Sequence, residues 1–218
     1  MLSRFHLSTI FLIGGAVWLL ALWSSGVPVE VAWLRHLNIV VPSLLVILGV
    51  FDKWAWRLPV VNPLLARLPY LGGTWHVELQ TNWRNPETGE VPGPITCYMA
   101  VRQTFSTLSM RLMTAESESW LIAHSVVKSN DGVFQVAGVY QNKPDLALRG
   151  NTEGKRSEMH FGALLLDVHG EPPVELKGHY WTDRKTSGTM RLTKRRNQTY
   201  PTFEAARRAF ERRGREAA

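Results

Sequence analysis

One cysteine, Cys97, among 218 residues excludes an internal disulfide framework and a cysteine-built zinc centre. With a membrane hairpin set aside, the rest is long enough for one core-bearing domain. The formal net charge of +7 suits an anionic partner, whether an acidic lipid surface, a nucleotide or nucleic acid, and much of it sits in the tail.

Two apolar runs come first. Leu7–Trp23 carries no charge and just reaches the ~17–25 residues that a helix needs to cross a bilayer. Leu37–Phe51 reaches that length only if its helix begins near Val31 and Arg35 and His36 snorkel to the interface. Trp18, Trp23, Trp33, Trp54 and Trp56 suit the two bilayer interfaces. The competing readings are a cleaved signal peptide and a helical pair outside the membrane. Against the signal peptide, no small-x-small site precedes Ser24, and a second apolar run follows at once. Arg4 before the first run and Lys53, Arg57 and Arg67 after the second place both termini in the cytoplasm of a bacterial inner-membrane protein. Pro42 predicts a kink or a freed carbonyl in the second helix. Residues 1–54 thus read as a two-helix transmembrane hairpin. Residues 55–72 read as a juxtamembrane linker broken by Pro59, Pro63 and Pro69, lying along the membrane or strapped under the next domain.

From Gly73 the apolar period changes to two. Gly73–Trp83 sets Trp75, Val77, Leu79 and Thr81 on one face. After a turn-rich loop, further strands are expected at Ile95–Thr104, Thr107–Thr114, Glu118–Lys128, Val133–Gln141, Ser157–Val168, Val174–Asp183 and Thr186–Lys194. Asn130-Asp131-Gly132 is a hairpin signal, because Asp-Gly accepts the positive φ of tight turns. Eight strands in sequence with no helix between them describe a meander. Residues 73–195 are therefore expected to close into an eight-stranded up-and-down β-barrel, lipocalin- or streptavidin-like, whose interior holds side chains or one small ligand. A β-sandwich is the alternative. In the tail, 196–218, Phe203, Ala206 and Phe210 fall at helical spacing among arginines, which reads as a short basic helix on anionic lipid or on the barrel, or as solvated disorder.

No catalytic constellation is visible. His76, His124, His160, His169 and His179 are scattered over separate strands and turns, and no metal-spaced cluster, phosphate loop or nucleophile elbow occurs, so neither enzyme activity nor a metal or cofactor is expected. The more specific text is Gly178–Thr189. There Tyr180 offers a ring to stack on a base, and Arg184 and Lys185 offer charge to a phosphate. A hairpin with curvature glycines and a solvated Arg-Lys tip accounts for the same residues.

Two N-terminal helices and an all-β domain, opened by Tyr70-Leu-Gly-Gly-Thr-Trp75 and closed by Gly178-x-Tyr180 and Asp183-Arg-Lys-Thr-Ser-Gly-Thr189, resemble the SMODS-associated two-transmembrane β-strand-rich effectors of bacterial CBASS anti-phage systems. The resemblance covers residues ~1–195, by architecture throughout and by motif at those two places. It implies a barrel that binds a cyclic dinucleotide or related cyclic oligonucleotide made by a partner nucleotidyltransferase. It also implies homo-oligomerisation in the lipid bilayer and disruption of the inner membrane, with no direct DNA or RNA binding. Strand parity then nominates ligand residues: Trp75 and Tyr180 to stack, Tyr98 and Arg102 on one face of the second strand, Thr182 and Thr186 as donors, Arg184 and Lys185 as cations. Core packing competes for Trp75, and a solvent-facing charge for Arg102. The other class of function is a membrane-anchored, lipocalin-like carrier of a small apolar ligand, which calls for a greasy cavity with Tyr98 and Arg102 outside it.

Overall fold

The computed structural model describes residues 7–25, 33–85, 88–145 and 159–216. Arg4, most of the loop between the two apolar runs, and most of the loop before the sixth strand lie outside these. The chain forms two compact units: residues up to Leu68 with Thr104–Thr107, and Pro69–Gln103 with Leu108–Ala218.

The first unit holds helices α1 (Leu7–Ser25) and α2 (Trp33–Lys53), which pack on each other. Gly14 faces Leu44 closely enough that an added Cβ would sit 3.6 Å from its Cδ2. Pro42 lies inside α2 without ending it. At the end of α2, the Asp52 carboxylate accepts the Ser106 N–H at 2.8 Å, its carbonyl accepts the Phe105 N–H at 2.9 Å, and Phe51 meets Phe105 edge-on. The expected linker forms two short helical turns, Ala55–Arg57 and Asn62–Ala66, with Trp56 fully buried. Among the described residues no helix is long and apolar enough to cross a membrane. The uncharged part of α2, Leu37–Phe51, falls short of the ~17–25 residues required, and the flanking Arg35, His36, Asp52 and Lys53 belong to the same helix.

The second unit is a closed antiparallel barrel, so the sandwich alternative is not adopted. Its strands are β1 (Gly73–Thr81), β2 (Ile95–Gln103), β3 (Leu108–Met113), β4 (Ser117–Lys128), β5 (Phe134–Pro144), β6 (His160–His169), β7 (Glu175–Thr182) and β8 (Ser187–Arg196). Each pairs with its neighbour in sequence, and β1 closes on β8 from Thr74 opposite Arg196 to Thr81 opposite Gly188. The turns follow from their residues. At Ser129–Val133, Gly132 takes φ 92° and the Asp131 carboxylate accepts the Val133 N–H at 3.1 Å.

The interior is filled unevenly. Toward the end where β1 begins, Trp75, Val101, Leu108, Leu166, Leu176 and Leu192 pack at 0–4% exposure. Gln103 seals that end: its Oε1 accepts the Leu71 N–H at 2.7 Å and its Nε2 donates to the Pro69 carbonyl at 3.0 Å. Toward the other end the inward residues turn polar: Ser117, Ser119, Asn142, Thr182 and Thr186. Two glycines make the walls close enough for large rings. Tyr140 pairs across the ladder with Gly162, and Tyr180 with Gly188, so each ring lies over a residue that has no Cβ.

The tail forms α3 (Phe203–Glu216) on the outside of the barrel. Ala206 is fully buried, and with Phe203 and Phe210 it covers Tyr98, Ala100 and Met113. Thr74 anchors the approach: its hydroxyl donates to the Gln198 carbonyl at 2.9 Å and accepts the Tyr200 N–H at 3.0 Å.

The Tyr140–Gly162 pair makes a direct prediction. A Cβ at 162 would overlap the Tyr140 ring and lie 2.6 Å from the Trp181 carbonyl. Gly162→Ala is therefore expected to cost about 1–3 kcal/mol and lower Tm by about 3–10 °C in calorimetric melting. An unchanged Tm would mean the wall is not packed as described.

Candidate functional site

At the polar end the barrel opens into two connected spaces. An inner chamber of about 170 Å³ lies between the walls, and a vestibule of about 670 Å³ lies outside it, bounded by the β1–β2 and β3–β4 connections and the β7–β8 turn. The two share Leu79, Thr114, Ser117, His160, Tyr180 and Thr186. The chamber is slightly larger than the ~150 Å³ cavity that takes up one benzene ring, and the vestibule lies within the ~300–1,000 Å³ range of small-molecule sites.

Its chemistry comes from strand ends. Period-two alternation brings Tyr140 and Asn142 inward on β5, and Ser117 and Ser119 inward on β4. Ser119 stands directly opposite Asn142, whose Nδ2 donates to Ser119 Oγ at 2.8 Å and Ser117 Oγ at 3.1 Å. The β7–β8 turn is stiff. Thr182 and Thr186 join their hydroxyls at 2.7 Å, the Thr182 N–H donates to the Thr186 carbonyl at 2.9 Å, and Lys185 takes the left-handed φ of 60°. The Asp183 carboxylate, accepting the Phe161 N–H at 3.0 Å, ties this turn to β6. Burial pushes the phenols of Tyr140 and Tyr180 above their ordinary range, Tyr140 with added effects from Tyr180 and Asp183, while a hydrogen bond with Thr81 works the other way on Tyr180. Both therefore face the chamber as neutral hydroxyls at neutral pH, able to stack and to hydrogen-bond without a charge.

The residues nominated from the sequence divide cleanly. Tyr180, Thr182 and Thr186 line the chamber, and Arg184 lines the vestibule. Trp75 does not reach either space. It is fully buried in the packed end, its Nε1 donates to the Leu71 carbonyl at 2.9 Å, and the Arg195 guanidinium stands 5.4 Å from its ring. Tyr98 lies outside the barrel under α3, 5.4 Å from Phe203 and 5.2 Å from Phe210 between ring centres. Arg102, on the same outer face, is exposed, as is Lys185 at the turn. Tyr98 and Arg102 do share a face, as parity requires, but it is the outer one. The inner face of β2 carries Cys97, Met99, Val101 and Gln103. Of the five scattered histidines, only His160 lines the chamber. Tyr140, Asn142, Ser117 and Ser119 were not among the nominated residues, although extending the Val136 alternation along β5 reaches both Tyr140 and Asn142.

A closed β-barrel, packed solid at one end and hollow with a stacking, hydroxyl-rich mouth at the other, belongs to the class of barrels that receive one small ligand. The family model described as "Cap15, cyclic dinucleotide receptor domain" matches residues 66–194, so the chain belongs to this family of CBASS effector domains. The matched span contains both spaces and stops short of α3. Among curated proteins none matches the chain.

The raised tyrosine phenols set a pH dependence. Their folded pKa lies above the unfolded value of about 10, so the stability they contribute is complete below pH ~10 and is lost as pH rises through the folded values. Alkaline melting curves are expected to lose Tm from about pH 10 upward, and Tyr140→Phe is expected to flatten that loss. An equal slope in Tyr140→Phe would contradict the placement of this phenol.

Proposed function

We propose that this chain is a CBASS effector that senses a cyclic dinucleotide in its barrel and answers by self-association of its two helices in the bacterial inner membrane, breaching the bilayer. The observation that carries the reading is the coincidence of the family match with a hollow end of suitable size and chemistry. A cyclic dinucleotide offers flat bases and two phosphates. Tyr140 and Tyr180 supply ring faces in the chamber, and Arg184 supplies charge in the vestibule. In this reading the ligand is a signal and not a substrate; no catalysis, metal or cofactor is assigned. A partner nucleotidyltransferase makes it, and both chain termini face the cytoplasm where it is made.

The membrane part rests on the first unit. Its helices leave large apolar side chains uncovered, among them Leu19, Trp23, Leu45 and Val46 at 64–84% exposure. Exposed apolar side chains of this kind suit lipid or other copies of the same helices. A ligand drives the change only if it binds the associated state more tightly than the separate one.

A carrier of a small apolar ligand is the second reading, and it draws on Tyr98 and Arg102 standing outside the barrel. The hydroxyls and amide around the chamber suit it poorly, because an apolar guest would leave them without partners.

Isothermal titration of the full chain in detergent with the symmetric cyclic dinucleotides of adenosine, guanosine, cytidine and uridine tests the sensing step. Binding by at least one is expected. Arg184→Ala is expected to weaken it about tenfold and to reduce its dependence on salt. Silence across the panel, with tight uptake of a fatty acid instead, would favour the carrier.

A further inference from the structure

Asn142 carries a buried polar atom that has no partner among the described residues. The residue is 7% exposed, and its side-chain nitrogen is held by both Ser119 Oγ and Ser117 Oγ. The serine side of this contact is also fixed. Ser117 Oγ lies 3.2 Å from Thr114 Oγ1, which already accepts the backbone N–H groups of Glu116 and Ser117 at 3.1 and 2.8 Å and donates to the Ser117 carbonyl. Thr114 thus holds Ser117 in place, and Ser117 Oγ accepts from the Asn142 nitrogen. The amide is oriented from behind, and its oxygen, Oδ1, is buried with no hydrogen-bond partner among the described residues. A buried carbonyl oxygen of this kind destabilises a fold unless something donates to it. Asn142 lines the chamber beside the Tyr140 and Tyr180 rings, in a space sized for one ring system and not for a stack of two.

We infer that the chamber takes one base of the cyclic dinucleotide edge-first, and that Asn142 Oδ1 accepts an N–H from that edge. The two tyrosines pack against the base, and the sugar–phosphate ring stays in the vestibule. This rests on the reading of the barrel as a cyclic dinucleotide receptor, and it names the specificity-determining atom of that site. Amides that read base edges do so because a fixed carbonyl rejects any edge that brings another acceptor. A backing of two serines and a threonine supplies that fixity here.

The test uses the full chain and reads stability and affinity together. Asn142→Leu replaces the amide with an apolar group of similar size and removes the orphan oxygen. Its Tm is expected to equal or exceed that of the parent, while affinity for the best-binding member of the four-nucleotide panel falls about tenfold or more, the scale of one lost hydrogen bond. The same nucleotide methylated at its base-edge nitrogen is expected to bind the parent equally weakly, and to lose little further on Asn142→Leu, as coupled partners do in a double-mutant cycle. Asn142→Leu binding as tightly as the parent would overturn the inference and leave the receptor reading standing. So would a parallel fall of Tm and affinity, with methylation and mutation adding independently, because Asn142 would then only support the wall. If the parent binds no member of the panel, the receptor reading fails and the inference falls with it.

Discussion

The pairing of β1 with β8 is the constraint on which the rest depends. Strand β1 already pairs with β2, so this second ladder removes the last free edges and gives every strand an inside and an outside. With eight strands the inside is only as wide as a few side chains, and composition along each strand decides what is solid and what is hollow. Trp75, Leu166, Leu176 and Leu192 fill one end. Serines, threonines and an asparagine are too short to fill the other. The rings of Tyr140 and Tyr180 lie flat there because Gly162 and Gly188 stand opposite them. The hollow is thus a consequence of where small polar residues fall in the alternation.

Much of this was legible. The period of two, the Asp-Gly turn and the absence of intervening helices specify the strands to within a few residues, and eight of them in sequence favour closure. Tyr180, Thr182 and Thr186 reach the chamber because they alternate with exposed neighbours on a well-marked hairpin. Tyr98 and Arg102 stand on the outer face of β2, and the spacing does not show this for a physical reason. At Tyr98 and Ala100 the outer face of β2 is apolar because α3 covers it, as the inner face is at Cys97, Met99 and Val101, and alternation alone does not tell one face from the other. Trp75 is large enough to stack on a base, yet nothing in its spacing says which end of the barrel it fills. Asn142 and Ser117 stand where expected strands give way to loops, and a polar residue at such a boundary looks solvated until the partner strand is known.

The two units divide the work proposed for the molecule. The barrel has the size and groups to distinguish one small polar ligand from another, and its walls are stiff at the β7–β8 turn, where two threonines are joined. The helical unit has uncovered leucines, valines and a tryptophan whose exposure to water is unfavourable and which association or lipid would cover. The tail adds a third element. Its apolar side is used on the outer face of β2, so the basic helix belongs to the barrel's own packing and covers Tyr98.

Amide hydrogen exchange on the full chain, with and without a saturating cyclic dinucleotide, tests the central claim most directly. The account predicts slowed exchange concentrated at the hollow end, around residues 114–119, 140–142 and 182–186, with the packed end around Trp75 and Leu176 unchanged. Protection confined to α3 and the outer face of β2, or to the helices alone, would place the ligand elsewhere and contradict the account.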